Sequence, residues 1–298
     1  MIPEDAIAPT LPALIALRNS VQRRSPARRG HHGVSGIARS PLRGRGMEYA
    51  ESREYVAGDD ARHIDWRLSA RSGRAHTKLF QAERDRLTLI VADTAPALYF
   101  GSRVRFKSVQ AARAGAVAAW AAQADGDRIA ALRGSIREAP ISPAGGVRAV
   151  LRVLEALRRW YAAPPLEDAG LAVALDHAQR VLRPGARLVA LAESASVLTV
   201  AAARWAALAR HGEVIVLLLT DPLEQAPPRT RLPFALGHGR IELDLQGTAQ
   251  RRQWAKDFSA PLAEARKVLE ARGIRVIELS SGADSTAWLP PPRRREVA

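Results

Sequence analysis

The residues best placed to do chemistry crowd into one stretch, Met47–Arg86, MEYAESREYVAGDDARHIDWRLSARSGRAHTKLFQAERDR. Arg53, Tyr55, Gly58, Asp59, Asp60, Arg62, Asp65, Trp66 and Arg71 follow one another there at short intervals. Eight basic and eight acidic side chains balance within it, although the whole chain carries a formal charge of +15. Carboxylates as close as Asp59, Asp60 and Asp65 could serve acid–base catalysis only if one of them held its proton near neutral pH. Arg53, Arg62, Arg67 and Arg71 work against that, because neighbouring cations keep carboxylates ionised. Guanidinium groups also pair with carboxylates in a fork, so a structural ion-pair network is the expected role, ahead of partner docking. Gly58 before two Asp residues marks a turn. Trp66 is expected to be the buried apolar anchor of the segment, clamping the N-terminal region onto the domain that follows.

Other chemistries are excluded by residue type. No G-x-x-x-x-G-K-[ST] phosphate loop and no H-E-x-x-H pair occur, and Gly33-Val34-Ser35-Gly36-Ile37 fails as a nucleophile elbow at its last position. The absence of cysteine removes disulfides, thiol catalysis and thiolate-bound zinc, and fits a reducing, cytoplasmic setting. His31-His32 lacks a third ligand at recognisable spacing. These two lie in a basic arm, Arg18–Arg45, with eight arginines and no acidic residue. That arm reads as a solvated loop, or as an anion- or partner-binding segment.

The elements that must position these residues are those of an α/β domain. Leu87–Ala92, Leu188–Ala192, Val214–Leu219 and Ile274–Leu279 are apolar runs of strand length, as in a parallel sheet covered on both faces. A strand at Arg128–Leu132 and a short edge strand at Ile136–Ala139 join them. Helices are expected at Pro12–Arg24, Lys107–Ala124, Gly145–Trp160, Leu171–Leu182, Val197–Arg210 and Gln250–Arg272, and a hairpin at Leu232–Leu245. No uncharged run approaches the roughly 20 residues of a membrane-spanning helix. Positive charge would ordinarily suggest nucleic acid. Here 41 arginines against four lysines, in an alanine-rich chain, are what GC-rich coding produces, so the charge argues little for such a partner.

The tract R-x-Y-x-x-G-D-D-x-R-x-I-D-W-x-x-S-A-R, filled from Arg53 to Arg71, resembles the signature of a bacterial family, domain of unknown function number fifty-eight. Gly101, Lys107, Gly126-Asp127-Arg128 and Thr220-Asp221-Pro222-Leu223-Glu224 fall where similar members carry F-G, K, G-D-R and D-P-L-E. The resemblance implies a von Willebrand factor A-like fold, doubly wound and mainly parallel, with a β-rich N-terminal extension. The expected division is 1–86 for arm and signature tract, 87–282 for the α/β domain and 283–298 for a disordered tail. It also implies a MoxR-type AAA+ ATPase as partner, an unknown client protein, and the short, soluble type of member.

Von Willebrand A-like domains place a metal site beyond the first strand, built from Asp-x-Ser-x-Ser, a Thr and an Asp around magnesium, which needs oxygen donors in octahedral array. Asp93 fills the first position, but Ala95 and Ala97 replace both serines and cannot ligate. The threonine position falls to Glu167 or Asp168, and the last to Glu193. The site is expected to be degenerate and metal-free, with no cofactor. The resulting expectation is a non-enzymatic adaptor or chaperone-type partner of the ATPase. The alternatives are a divalent-metal enzyme acting on phosphate esters at Asp93, and a nucleic-acid-binding protein using the basic arm.

Overall fold

The chain opens with two helices, α1 (Glu4–Ile7) and α2 (Leu11–Arg24). The computed structural model describes residues 4–24, 47–56, 58–82, 86–236 and 239–290. The greater part of the basic arm, including His31 and His32, lies outside the described residues, as do 291–298. Two compact units result: Met1–Arg29 with Arg86–Ala298, and Gly30–Asp85.

The smaller unit is an antiparallel pair, β1 (Met47–Glu54) and β2 (His76–Ala82), joined through a helix, α3 (Trp66–Ser72). Its turns are built by the aspartates of the signature. Gly58 takes φ 109°, a conformation open to glycine at little cost, and brings Asp59 back to accept from the Val56 N–H at 3.0 Å. Asp60 accepts from the Arg62 N–H at 3.0 Å, and Asp65 caps α3 by accepting from the Leu68 N–H at 3.1 Å.

The larger unit has a mixed α/β structure with a mostly parallel central sheet. Its strands are β3 (Leu87–Ala92), β4 (Arg128–Arg133), β5 (Ile141–Ala144), β6 (Ala186–Ala192) and β7 (Gly212–Thr220). An antiparallel hairpin, β8 (Arg231–Leu236) and β9 (Gly239–Asp244), precedes the last sheet strand, β10 (Arg275–Ser280). The order is β10-β7-β6-β3-β4-β5, and only β5 runs antiparallel to its neighbour. The chain leaves β3 for β4 on one side and later returns to β6 on the other, so the sheet switches direction between β3 and β6.

The helices that follow are α4 (Lys107–Asp125), α5 (Gly146–Ala162), α6 (Gly170–Val181), α7 (Ser194–Leu198), α8 (Ala202–Ala209), α9 (Pro222–Gln225), α10 (Thr248–Trp254) and α11 (Ala260–Glu270). One face of the sheet buries Ile90, Val189 and Leu217 against α4 and α5. The other buries Val91, Leu188 and Val216 against α6, α8 and α11. The alanines of α4 let its backbone approach closely. A Cβ at Gly115 would stand 2.8 Å from a methyl of Leu157 and 3.0 Å from one of Leu191.

Several expectations are corrected. The N-terminal helix, grouped from sequence with the signature tract, packs in the α/β unit: Leu14, Leu17 and Val21 are buried in its core, and the Trp120 Nε1 donates to the Leu14 carbonyl at 3.2 Å. The tail expected to be disordered from 283 is ordered through Pro290, because Trp288, 5% exposed, is inserted in the same core. The edge strand expected at Ile136–Ala139 lies at Ile141–Ala144 instead. Glu167 accepts from the Ile136 N–H, and the Ser135 hydroxyl accepts from the Arg137 and Glu138 N–H groups, which takes that segment's donors out of any ladder. Pro143 is tolerated because β5 is an edge strand. The helix expected at Val197–Arg210 is two short ones, and the long C-terminal helix contains a π turn at Ala255–Ser259.

Candidate functional site

The carboxyl ends of β3, β6, β7 and β10 deliver Asp93, Glu193, Asp221 and Ser281 to one edge of the sheet. Asp93 is buried, and both of its oxygens are engaged by backbone. Oδ1 accepts from the Ala95 N–H at 3.0 Å, and Oδ2 accepts from the Glu193 N–H at 2.9 Å. The carboxylate therefore ties the loop after β3 to the start of α7. Its own carbonyl accepts from the buried Tyr161 hydroxyl at 2.9 Å. Burial pushes the Asp93 carboxyl up to about 6, against the opposing pull of the Glu193 N–H, the Ser196 hydroxyl and the Ala95 N–H. Thr94 is buried beside it, with no partner for its hydroxyl among the described residues.

Glu193 turns its carboxylate onto its own helix. It accepts from the Ala195 N–H at 2.6 Å, the Ser196 N–H at 3.3 Å and the Ser194 hydroxyl at 3.1 Å. Ala95 and Ala97 offer methyl groups only, and Ala97 lies inside a 3-10 turn, Pro96–Leu98. Glu167 does not join them in an acidic cluster. It accepts from Ser135 at 2.8 Å and Ile136 at 3.0 Å with Arg133 alongside, and these bonds hold its carboxyl below the usual range. Asp168 is spent on the Gly170 N–H. Among the described residues no group of three or more His, Asp or Glu is assembled to hold a metal ion.

A second constellation lies one strand over, and it is made of the residues that carried the outer part of the resemblance. Lys107, 1% exposed at the start of α4, donates to Glu224 Oε1 at 2.5 Å. The other oxygen of Glu224 accepts from the Asp221 N–H at 2.9 Å, closing a reciprocal cap on α9. Burial raises the Glu224 carboxyl against the pull of Lys107. Asp221 is buried too, which opposes its charge. Yet the Ser102 hydroxyl, the Ser281 hydroxyl at 2.6 Å and the N–H groups of Leu223 and Ser102, each at 3.0 Å, hold its carboxyl below the ordinary value. Gly101 completes the fit, since a Cβ there would meet the Arg105 carbonyl oxygen at 2.2 Å. The signal in sequence was a solitary lysine opening an alanine helix. The partner that neutralises it lies 117 residues further on, beyond the reach of local pattern.

Among the described residues the signature tract combines ion pairs with hydrogen bonds to its own backbone. Arg53 pairs with Asp59 at 2.7 Å, and the Tyr55 hydroxyl donates to the Asp59 carbonyl at 3.2 Å. Arg62 reaches Asp60 only at 3.9 Å, and Asp65 takes the Ser52 hydroxyl at 3.0 Å and its own helix in place of an arginine. Arg71 occupies the last turn of α3, where a cation complements the helix dipole. Trp66 departs from the expected burial within its own unit, where it is 72% exposed. As the first residue of a two-turn helix capped by Asp65, it projects from the end of α3.

A model of a family described as a protein of unknown function matches residues 51–259. The chain belongs to that family, DUF58. Its relatives include uncharacterized proteins of Mycobacterium bovis and Mycobacterium tuberculosis, each 30% identical over 189 residues, or 62% of this chain. The chain spans 58% of the length of these relatives. Among solved structures it is similar to an aerotolerance-related membrane protein from Bacteroides fragilis carrying multiple mutations to serines. That likeness has a TM-score of 0.38 and 12% identity, and covers 67% of this chain and 92% of that one. Among the described residues of this DUF58 chain no helix is long and apolar enough to cross a membrane.

Proposed function

We propose that this chain is a von Willebrand A-like, non-enzymatic adaptor that acts in the cytoplasm with a MoxR-type AAA+ ATPase, holding a client protein or docking on the ATPase. The sheet order supports the fold assignment: a doubly wound parallel sheet with one antiparallel edge strand and a switch point between β3 and β6. The degenerate site supports the functional one. The carrying observation is that Asp93 gives both oxygens to backbone N–H groups while Glu193 caps its own helix. The two acids at the switch point thereby serve as struts of the loops around them. A protein whose loops are stiffened in this way presents a fixed surface, which is what an adaptor needs. The divalent-metal enzyme would require these same oxygens as ligands, and nucleic-acid binding would rest on the basic arm alone.

The test is affinity capture from a cell extract with the tagged chain, run with magnesium and again with EDTA in both wash and bait. Recovery of an AAA+ ATPase under both conditions is the expected result. Recovery that vanishes on chelation of the bait, and that Asp93→Ala also removes, would return the metal-dependent alternative. Absence of any AAA+ ATPase from both captures would overturn the adaptor assignment.

A further inference from the structure

A cleft of about 340 Å³ opens beyond the carboxyl ends of β6, β7 and β10, where α7, α9 and the α10–α11 segment converge. Its wall is made by the π turn Ala255–Ser259. The Trp254 Nε1 is pinned to the Glu224 carbonyl at 3.0 Å on one side of that turn, and Ala265 and Leu269 are buried on the other. The wider turn carries Phe258 into the cleft beside Leu262 and Ala263, giving an apolar strip. The cleft also has a polar side that includes Glu193, Ser194 and Thr220, reached from the ends of β6 and β7.

Two observations single out that polar side. Glu224, Glu278 and Arg266 also line the cleft, but Lys107 balances Glu224, and Arg266 is taken up by Glu278 and Glu270. Glu193 has no arginine or lysine bonded to it among the described residues, so its negative charge is left over. The second observation is independent of charge. Thr220 is 4% exposed, and among the described residues its Oγ1 has no hydrogen-bond partner. A buried hydroxyl left without a partner is costly, and such groups are rare unless something else completes them.

We propose that this cleft binds an alkylammonium group, with the ammonium head between the Glu193 carboxylate and the Thr220 and Ser194 hydroxyls and the alkyl chain along Phe258, Leu262 and Ala263. An ammonium ion has three donors and no acceptor, and the cleft offers it three oxygen acceptors of which one is ionised. A four-carbon stem gains apolar contact while the head is paired, which neither an inorganic cation nor a carboxylate achieves here. The same chemistry is found in a free aliphatic amine and in the side chain of lysine on a polypeptide. This goes beyond the adaptor assignment, which requires no ligand in the cleft.

The experiment is a titration of the whole chain, with isotope label on the methyl groups of Thr220, Leu262 and Ala263, followed by NMR. The probes are n-butylamine, Nα-acetyl-lysine N-methylamide and, as control, n-butyrate. Expected are saturable shifts of these methyls with n-butylamine and none with n-butyrate. Glu193→Gln keeps an acceptor for the helix cap and removes the charge, so affinity should fall about tenfold or more, the scale of a charge-assisted hydrogen bond. Thr220→Val should weaken binding several-fold. Shifts with both amines assign the site to a lysine side chain, and shifts with n-butylamine alone assign it to a free amine; either supports the proposal. Absence of saturable shifts in the wild-type chain up to about 50 mM amine, at which even a weak millimolar site would be filled, overturns it. So does equal binding by a Glu193→Gln variant whose melt matches wild type.

Discussion

At the scale of single residues, Asp93 is the most consequential side chain and Trp66 the most instructive. The folded protein holds the Asp93 carboxyl at about 6, above the ordinary value of 3.8, because burial disfavours its charge. Between those two values the folded state binds the extra proton and the unfolded state does not, so this residue's contribution falls as pH rises from about 4 to about 6 and is flat above. Asp93→Asn removes the titration. The stability gap between wild type and Asp93→Asn, from urea denaturation at pH 5 and pH 7, should therefore shift against wild type at the higher pH. A gap equal at both values would mean that Asp93 does not titrate in this range. Trp66 shows where sequence reasoning stops. An aromatic among charges is a fair candidate for a core anchor, yet position at the start of a seven-residue helix decides exposure, and no spacing rule carries that. Trp66→Ala should accordingly leave the melting temperature within about 2 °C of wild type, since exposed substitutions change stability by roughly 0.5 kcal/mol or less. A loss of several degrees would show that the indole is covered in solution.

At the scale of elements, the strands were legible and their ends were not. The runs at Leu87–Ala92 and Gly212–Thr220 carry their own signature because strands covered on both faces are apolar throughout. The edge strand was misplaced because Ser135 and Ile136 are claimed by Glu167, a contact made across 31 residues or more. The same limit hid the joint between α4 and α9, where Lys107 and Glu224 are buried together. Breaking a buried pair leaves one charge without its partner, at a cost of about 3–5 kcal/mol, whereas removing both charges is often nearly neutral. Lys107→Met should thus destabilise strongly, and Glu224→Gln, which keeps an acceptor for the Asp221 N–H, should cost less in the Lys107→Met background than in wild type. A double-mutant cycle from urea denaturation reads this coupling directly. Additive effects of the two substitutions would mean that the pair adds nothing beyond its separate contacts.

At the scale of the whole molecule, the question is whether a divalent ion belongs to the folded state. Any ligand that binds the folded chain and not the unfolded one raises stability by RT ln(1 + [L]/Kd). With about 10 mM magnesium and a Kd of about 1 mM this amounts to roughly 1.4 kcal/mol, or about 3 °C in the melt of a domain of this size. The acids at the switch point argue against such a gain. Asp93 would have to release the Glu193 N–H and the Ala95 N–H before it could ligate a magnesium ion, and Glu193, with Oε2 committed to the α7 cap, would add only Oε1. Each release leaves a donor without its acceptor, which offsets much of what a hydrated ion with few protein ligands returns. The α/β unit should therefore melt at the same temperature, within about 1 °C, in magnesium, in manganese and in EDTA. A rise of 3 °C or more with either ion that Asp93→Ala abolishes would show that the struts open to make a metal site. The enzyme alternative would then displace the adaptor. A rise that persists in Asp93→Ala would place the ion elsewhere on the chain and leave the struts as described.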